Sequence, residues 1–566
     1  MEKYENRHIS EMPLSSPFFR NKVERFLGEN GLRMEALDVY YAIEDEDGNI
    51  LAGAGLSRDI IKCIAVASQA RQEGLVAPLV SHLISLASAR GILELKLFTK
   101  PENQAIFESL GFHLLASAPK AILMENGRGL ERYCAYLKGF AKEGRCGVVV
   151  MNANPFTLGH LYLLQEAARQ VDTLYVIPVA EEGQLFSYPE RRDMIIAGCA
   201  RPTAEENYFL CSCPKNQFSP AEIVVLEGSA YQISAATFPT YFLKDLSDAA
   251  QTQMLLDLDL YTRWIAPALN ASVRFVGSEP LDALTNQYNT LIPNAVIIPR
   301  LTAEKNYFLQ GFAKNHFSDA DIISASRVRK YLAEGDFHSA AALCPETTWP
   351  YLLAVLAQRA LQMELDLPLK PGLVCPDSKG AHKDMDYALM QKGIAAIRPF
   401  FAPMALAASA DELRTLGVEA EKAMMEATGG VNTHRGAIFC LGLALNACGD
   451  SKKMAALAAQ ICGDNHSVGA RRMALGGYKQ LFEDWLPFYR QEKDALKTLL
   501  RIMSTLDDTC VVKRVGYERA QEVKREAASL IPGLTRDLCD RYAAEGISPG
   551  GAADMLALTI FIDSII

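Results

Sequence analysis

The change of pattern near residue 350 constrains the fold of this 566-residue chain more than any other feature. Before it, apolar runs such as CIAVAS and GVVVM alternate with amphipathic stretches, which predicts strands that alternate with helices. After it, strand patterns fade and residues that favour helices recur at helical spacing, as in YERAQEVKREAASLIPG. The chain is also too long for one hydrophobic core. We therefore predict a multidomain protein with two α/β domains, 1–135 and 145–355, and an all-helical domain over 360–566.

Composition limits the classes of function. The formal net charge is −10 and 49% of the residues are hydrophobic, which is typical of a soluble globular protein and argues against a nucleic-acid partner. The first residues, MEKYENRHIS, lack the apolar core of a signal peptide, and the apolar run MLALTIFIDSII is too short to span a bilayer. The 13 scattered cysteines indicate reduced thiols rather than disulfides or structural zinc. We expect a cytoplasmic protein without a membrane partner.

The first candidate site is the junction between the apolar run GVVVM and NANPFTLGHL. A doubly wound parallel sheet binds ligands beyond the carboxyl ends of its strands, which is where this junction falls. Thr157 and His160 lie at a predicted helix start, whose free N–H groups and dipole favour phosphate, and Gly159 permits close approach of the backbone. The structural alternative is a capping threonine beside a packed histidine.

A second helix start, ISASRVRKYL, combines serines with arginines. Such groups can hold a triphosphate and stabilise the charge on departing pyrophosphate. A solvated helix face is the alternative interpretation of the arginine pair. The residues concerned are Ser324, Ser326, Arg327 and Arg329.

Together these motifs resemble the T/H-x-G-H and I-S-x-S/T-x-x-R motifs of the nucleotidylyltransferases. The longer stretches NANPFTLGHLYLLQEAA, SYPERRDMI, YQISAATFPTYFLKD, RFVGSEP and SASRVR resemble citrate (pro-3S)-lyase ligase, from residue 1 to about residue 355. The resemblance implies that ATP and acetate form acetyl-AMP, and that the acetyl group passes to the prosthetic-group thiol of the citrate lyase acyl carrier protein. It assigns catalysis to His160, Thr157, Arg327 and Arg329, and nucleotide binding to Asn154, Gly159, Ser324, Ser326 and Lys244, for which a surface lysine is the alternative.

The amino-terminal segment resembles the GNAT acetyltransferase superfamily in SQARQEGLV and KPENQAIFESLGF. In that superfamily a strand-to-helix turn, R-x-x-G-x-G/A, offers backbone N–H groups to the pyrophosphate of coenzyme A. Arg71 and Gly74 match this turn, whereas Val76 replaces its last small residue. The resemblance implies a GNAT-like α/β domain that either catalyses a transfer or docks a partner or a pantetheine arm.

An internal repeat lies within the second α/β domain. The segment TAEENYFLCSCPKNQFSPAEI at 203–223 returns as TAEKNYFLQGFAKNHFSDADI at 302–322. A solenoid needs more copies, so we predict duplicated surface insertions of unknown purpose.

Polar turns punctuate the helical half. GAHKDMD holds His382, Asp384 and Asp386 at a spacing that can supply a metal or a general acid with its partner, although a helix N-terminus rich in acidic residues is the alternative. LDDT offers Asp507 and Asp508 as ligands for magnesium on a triphosphate. GGVNTHRGAIF forms a phosphate-compatible helix entry with Gly430, Asn432, Thr433, His434 and Arg435.

These turns resemble those of triphosphoribosyl-dephospho-CoA synthase, over about residues 360–566. The implied reaction is attack of the ribose 2'-hydroxyl of 3'-dephospho-CoA on the anomeric carbon of ATP, with release of adenine. Asp384, Asp386 and His382 would divide the acid, base and charge-stabilising roles. Where that family has D-T-N and then R-G-G, this chain has Cys510 and Val515 in place of the Asn and the first Gly.

The two resemblances together predict one bifunctional enzyme of citrate lyase maturation that uses ATP, with Mg²⁺ expected. One alternative is that one half has lost activity and docks the lyase or its carrier protein, which predicts binding without turnover. Another is a generic adenylyl or pantetheine-phosphate transferase with a different acceptor.

Overall fold

The computed structural model describes residues 8–181, 183–200, 221–232, 246–279, 283–300, 323–463, 469–530 and 536–566. Both repeated segments, except residues 221–223, and the predicted nucleotide-binding Lys244 lie outside these ranges. Two compact units make up the chain. The first comprises Met1–Asn154 and His160–Leu301, and the second Pro155–Gly159 and Thr302–Ile566.

A mixed seven-stranded sheet occupies the start of the first unit, in the order β1-β2-β3-β4-β5-β7-β6. Only the β4–β5 pair is parallel among the described strands of this sheet. Helix Val76–Ala89 follows the turn that contains Arg71 and Gly74, and it buries an apolar face against the sheet. The strands are β1 (Ile9–Glu11), β2 (Val39–Glu44), β3 (Ile50–Ser57), β4 (Ile60–Val66), β5 (Leu95–Thr99), β6 (His113–Ser117) and β7 (Ile122–Asn126). The other helices are Pro17–Glu29, Gln104–Glu108 and Gly129–Lys138.

The second sheet of the same unit is parallel throughout its five described strands, in the order β10-β9-β8-β11-β12. From β8, the strands that come next in the chain lie on one side of the sheet and the later strands lie on the other, so the strand order reverses at β8. Sheets of this kind bind ligands at the carboxyl ends of the strands where the order reverses. The strands are β8 (Cys146–Met151), β9 (Thr173–Pro178), β10 (Glu222–Val225), β11 (Ala271–Gly277) and β12 (Ala295–Ile298). The helices are Leu158–Ala168, Tyr188–Cys199, Leu246–Leu260 and Ala283–Leu291, with a π turn at Tyr261–Ile265 and a helical turn at Ala266–Ala268.

Side chains join the two sheets of the first unit. The indole N–H of Trp264 donates to the carbonyl oxygen of Leu115 at 2.9 Å, and the Tyr231 hydroxyl donates to the buried carboxylate of Glu125. The seven-stranded and five-stranded sheets therefore pack as parts of one compact unit.

The second unit is helical. Its carboxyl-terminal helix Gly550–Ile565 is apolar on nearly every side and packs against helices Trp349–Leu365, Arg435–Ala447 and Ala495–Thr505, as expected of a central helix. The other helices are Ala325–Glu334, Phe337–Ala341, Tyr387–Leu406, Ala410–Ala427, Ser451–Cys462, Ala470–Leu475, Leu486–Glu492, Thr509–Leu530 with a kink at Gly516, and Arg536–Glu545.

The predicted order of fold classes is confirmed: α/β structure, a doubly wound parallel sheet and then an all-helical region. Within the described ranges, no helix has both the length and the apolar character that crossing a bilayer requires.

Candidate functional sites

A buried arginine organises the loop that follows β8. Arg191 comes from helix Tyr188–Cys199, whose first turn is fixed by a capping box between Ser187 and Glu190. Its guanidinium donates to the backbone carbonyl of Asn152 at 2.8 Å and to the Asn152 side-chain oxygen at 2.7 Å. It also donates to the carbonyl of Val179 at 2.9 Å, just after β9. One side chain thus fixes the loops after two neighbouring strands, and the sequence analysis did not single it out.

The predicted nucleotide-binding Asn154 has a positioning role in this structure. Its amide nitrogen donates to the side-chain oxygen of Gln184 at 2.6 Å, and its amide oxygen accepts from the backbone N–H of Phe186 at 3.2 Å. The residue is buried and links the loop after β8 to the loop after β9. Both ends of the side chain already have protein partners.

His160 lies in the first turn of helix Leu158–Ala168, as predicted, and part of its surface is accessible. Burial of the ring and, as the smaller cause, the charge of Arg300 together lower its pKa to about 4. The imidazole is therefore neutral at pH 7, so it can donate one hydrogen bond and accept another.

Arg300 follows β12 and was missed by the sequence analysis. Its Nε donates to the carbonyl oxygen of Ser278 at 2.8 Å, its backbone N–H donates to the Ser278 hydroxyl at 3.0 Å, and its guanidinium pairs with Glu279. Because β11 and β12 are parallel, these groups lie at the same sheet edge as the end of β8. An arginine directly after the strand run NAVII was the available signal. We call Asn152, Asn154, His160, Arg191 and Arg300 the β8-end cluster.

The remaining predicted ligase residues within the described ranges belong to the second unit. A Cβ on Gly159 would stand 3.4 Å from the carbonyl oxygen of Ile323, so a larger residue would be tight there. Buried Thr157 precedes it, and its neighbour Leu158 donates its N–H to the carbonyl of Leu343 at 2.9 Å. The Thr-x-Gly part of the motif is thus packed closely within this unit.

The serine and arginine motif begins a helix, as predicted. Ser324 is the N-cap of helix Ala325–Glu334 and accepts from the backbone N–H of Arg327 at 3.3 Å. Arg327 also donates to the Tyr331 hydroxyl at 3.1 Å, and Arg329 donates to the Ser326 hydroxyl at 3.1 Å. Burial lowers the pKa of Arg329 from its ordinary value. Ser324 therefore caps this helix, and the two arginines lie within its first five residues.

The helical unit contains a cavity of about 270 Å³. Three of the predicted segments contribute to its wall, because GAHKDMD, GGVNTHRGAIF and the helix after LDDT all reach it. Residues from these segments are His382, Asn432, Thr433, His434, Arg435, Cys510 and Arg514, and further polar lining residues are Glu364, Lys370, Ser548 and Asp554.

The two histidines of the cavity are neutral. His382 contacts the Ser548 hydroxyl through Nε2 at 2.8 Å, and Arg514 lies 3.4 Å from its Nδ1. Burial and the Arg514 charge lower the pKa of His382. Burial and then Lys370 lower the pKa of His434 to about 3. Neither ring carries a charge at pH 7, so each has one nitrogen that can accept a proton.

The helix entry after GGVNTH is closely fitted. The Thr433 hydroxyl lies 2.8 Å from His434 Nδ1, and a Cβ on Gly393 of the facing helix would overlap the Thr433 oxygen. Asn432 accepts from the backbone N–H of Arg435 at 3.1 Å. Gly430 does not line the cavity described here; its φ of 89° supplies the turn before this entry. Arg435 lines the cavity and pairs with Glu421.

Sequence reasoning missed three charged residues of the cavity wall. Lys370 donates to the Glu364 carboxylate at 2.7 Å and to the Glu364 carbonyl oxygen at 2.9 Å, and this pair is buried. Asp554 lies on the apolar helix Gly550–Ile565. The signal for two of them was an acidic residue within a mostly apolar stretch, in ALQMEL and AADMLAL.

The predicted acidic residues lie elsewhere. Asp384 and Asp386 are not part of the cavity wall, and Asp386 is the N-cap of helix Tyr387–Leu406, accepting from Leu389 N–H at 3.0 Å. Asp508 is buried, and its two oxygens accept from the N–H groups of Cys510 at 2.8 Å and Ala552 at 2.9 Å.

The magnesium prediction for Asp507 and Asp508 does not fit this arrangement. Asp507 binds the ammonium group of Lys524 at 2.8 Å, and both oxygens of Asp508 cap helix N-termini. In the part of the chain that the structure describes, no three His, Cys, Asp or Glu side chains are grouped to hold a metal ion.

Comparison with known proteins follows the same division of the chain. The family model described as citrate lyase ligase C-terminal domain matches residues 146–207 and 215–352, and the model described as ATP:dephospho-CoA triphosphoribosyl transferase matches residues 350–467 and 461–566. A solved structure whose title names an acyl-CoA N-acyltransferase of Klebsiella pneumoniae is 18% identical with a TM-score of 0.19, and the match covers 21% of this chain and 96% of that one.

Curated relatives match each half. Citrate (pro-3S)-lyase ligase of Escherichia coli is 36% identical over 338 residues, which is 59% of this chain and 90% of the relative. The ligase of Klebsiella pneumoniae is 38% identical over 339 residues, 59% of this chain and 92% of the relative. The 2-(5''-triphosphoribosyl)-3'-dephosphocoenzyme-A synthase of Pectobacterium atrosepticum is 34% identical over 266 residues, 37% of this chain and 88% of the relative. The chain therefore belongs to the citrate lyase ligase family in its first part and to the triphosphoribosyl-dephospho-CoA synthase family in its second, and it is a bifunctional enzyme of citrate lyase maturation.

Proposed function

We propose that this protein performs two separate steps with ATP. In the first, ATP and acetate form acetyl-AMP, and the acetyl group passes to the prosthetic-group thiol of the citrate lyase acyl carrier protein. In the second, ATP and 3'-dephospho-CoA yield 2'-(5''-triphosphoribosyl)-3'-dephospho-CoA and adenine. The names of the matching relatives and of the second family model support a ligase that acts on citrate lyase and a transferase that uses ATP and dephospho-CoA. We propose the cytoplasm, where ATP is supplied, as the location.

The β8-end cluster supports the ligase step. Adenylation of acetate needs little covalent help from the protein, because positioning and charge stabilisation at the phosphates supply most of the acceleration. We assign to neutral His160 a hydrogen bond to a phosphate oxygen, and to Arg300 the compensation of charge on departing pyrophosphate. Arg191 holds the loop in place through backbone carbonyls. Thr157, Gly159, Ser324, Ser326, Arg327 and Arg329 stay proposed phosphate contacts, on the strength of the motif.

The observation that carries the synthase step is the cavity of about 270 Å³ lined by three of the predicted segments. Its wall combines cations that suit a triphosphate, Lys370, Arg435 and Arg514, with two neutral histidines. We propose His382 as the base for the attacking hydroxyl, because its neutral ring lies at the wall and Ser548 orients it. Asp507 and Asp508 are engaged by other protein groups, so we propose neither of them as a magnesium ligand.

One incubation tests the synthase step. Purified full-length protein is supplied with ATP, magnesium and 3'-dephospho-CoA without acetate, and free adenine is measured by chromatography. Adenine together with a triphosphoribosylated product supports the proposal. The helical half is inactive if no adenine appears although the protein still forms AMP and pyrophosphate from ATP and acetate when the thiol form of the carrier protein is supplied. The ligase half is active in that case.

A second incubation tests the ligase step. ATP and acetate are supplied with the thiol form of the citrate lyase acyl carrier protein, and acetylated carrier is measured by mass spectrometry. A carrier that stays unacetylated while another pantetheine thiol is modified would favour the generic transferase instead.

A further inference from the structure

Asp554 occupies an unusual position for an acidic residue. It lies on the apolar helix Gly550–Ile565 and contributes to the wall of the synthase cavity. Its carboxyl group faces the first turn of helix Arg435–Ala447, where the backbone N–H of Ala437 donates to it. A Cβ on Gly436 would overlap the Asp554 Oδ2 atom. The glycine in the motif T-H-R-G-A therefore makes room for this carboxyl group.

The surroundings of Asp554 favour its protonated form. Burial raises its pKa well above the ordinary value, and the carboxylates of Asp508 and Glu364 raise it further. The hydrogen bond from Ala437 acts in the opposite direction. The other ionisable groups that interact with Asp554 are the Cys440 and Cys510 thiols and the Tyr478 phenol. Glu364 itself is paired with Lys370 at 2.7 Å.

We propose that Asp554 is the general acid that protonates the departing adenine in the synthase reaction. The inference rests on the proposed function of the helical half. As the bond between C1' of the ATP ribose and N9 of adenine breaks, the electron pair stays with adenine, and a ring nitrogen takes the Asp554 proton. The 2'-oxygen of dephospho-CoA forms the new bond to C1', and its proton goes to His382. Transfer of that proton back to Asp554 through solvent restores both groups.

The helix start beside Asp554 suits this role. After transfer the carboxylate is negative, and it then lies against the N–H of Ala437 at a helix N-terminus, where negative charge is stabilised. A group that holds its proton before the reaction and is stabilised without it afterwards is a good proton donor. Asp384 and Asp386 lack this setting, because neither lines the cavity and Asp386 caps its own helix.

The test compares Asp554→Asn with Asp563→Asn on the same helix. Asn keeps the size of the side chain and an oxygen that can accept from Ala437. We expect Asp554→Asn to lower the kcat of adenine release by roughly 10²–10⁴-fold, the usual contribution of a general acid. Asp563 pairs with Arg490 away from the cavity wall, and its variant should keep the wild-type kcat. Acetate-dependent pyrophosphate release should be the same in both.

A second readout separates acid catalysis from a structural role. The electron-withdrawing fluorine of 2-fluoro-ATP makes the purine a better leaving group that needs less protonation, so the loss caused by Asp554→Asn should shrink with this substrate. An equal loss with both substrates, or a wild-type kcat in Asp554→Asn, would overturn the inference. If the wild-type protein releases no adenine at all, the proposed function fails instead.

The wild-type pH profile provides a test that does not depend on the variant's folding. An ionised Asp554 has no proton to give, so kcat should fall as pH rises through its raised pKa. A kcat that does not fall at any alkaline pH at which the protein stays folded would contradict the assignment.

Discussion

The two candidate sites use histidines in the same protonation state but build their surroundings differently. His160 lies in the first turn of the helix that follows β8, where burial and the charge of Arg300 lower its pKa to about 4. His434 has a pKa near 3 and lies in a cavity among charged residues that come from several helices. The β8-end cluster thus gathers its residues at one edge of a single sheet, whereas the cavity depends on residues dispersed along several helices.

This difference determines how each site should respond to substitution. A residue at the edge of a sheet can lose one ligand contact with little effect on the stability of the core, because the packing of the sheet is unchanged. In the cavity, a residue that contributes chemistry is also part of the helix packing, as Gly436 and Asp554 illustrate. Substitutions there should change activity and stability together.

The largest effect expected at the β8-end cluster separates the two halves directly. His160→Ala should lower acetate-dependent pyrophosphate release by about 10²–10³-fold, because it removes a hydrogen bond to charge that develops at the phosphates. Adenine release by the same protein should stay at the wild-type rate. Exposed His338→Ala is the control and should change neither activity. Undiminished pyrophosphate release in His160→Ala would remove His160 from the proposed mechanism.

Contiguous motifs explain which residues the sequence identified. The strand GVVVM and the helix start that contains His160 are neighbours in the chain. The hydrophobic pattern of the strand and the residue types of the turn are therefore enough to predict that they lie together. The helix entry of His434 and the turn of His382 were found in the same way, and both line the cavity. The order of fold classes followed from the loss of strand patterns after residue 350.

Dispersed residues could not be found from the sequence, for a physical reason. Helical periodicity indicates which side of a helix is buried but not which buried sides of distant helices meet. Glu364, Lys370 and Asp554 are therefore single charges until the helices pack around one cavity. Asp386 and Asp508 were found in the sequence, but their role was not. An aspartate can bind a metal or cap a helix with the same carboxylate, and only the backbone N–H groups around it show which role it has.

A glycine pair tests the coupling of packing and chemistry in the cavity. Gly436→Ala places a Cβ on the Asp554 carboxyl group, so we expect the helical half to lose about 1–3 kcal/mol of stability through overpacking. Adenine release should fall at least about tenfold, whereas the ligase activity should persist. Gly417→Ala on helix Ala410–Ala427 meets no atom within 4 Å and should raise stability by about 0.5–1 kcal/mol. If the two variants had the same unfolding temperature and the same rate of adenine release, the close fit of Gly436 against Asp554 would be contradicted.

A smaller effect is expected from Arg300→Met in the β8-end cluster. Removal of the positive charge should raise the pKa of His160 from about 4, but burial, the larger cause, should keep it below the ordinary 6.5. Histidine-selective isotope labelling and NMR titration would measure this shift. Pyrophosphate release should fall by about tenfold through the lost charge, the size of one modest electrostatic contact.

The matched variant for Arg300→Met is Arg300→Lys, which keeps the charge. It should leave the pKa of His160 near its wild-type value while losing the fixed geometry of the guanidinium at Ser278. A His160 pKa that is identical in all three proteins would show that Arg300 does not influence the ring.

The smallest expected effect concerns Asp386, for which capping and catalysis make opposite predictions. As an N-cap that accepts from Leu389, its replacement by Ala should cost about 0.5–2 kcal/mol of stability. Asp386→Ser keeps a good capping group without a carboxylate, so stability should be retained. If Asp386 only caps helix Tyr387–Leu406, adenine release in Asp386→Ser should equal that of the wild type. If Asp386 is instead the predicted catalytic acid or charge stabiliser, Asp386→Ser should lower the kcat of adenine release by about 10²–10⁴-fold while the protein keeps wild-type stability. That result would show that the synthase reaction needs a residue outside the cavity wall.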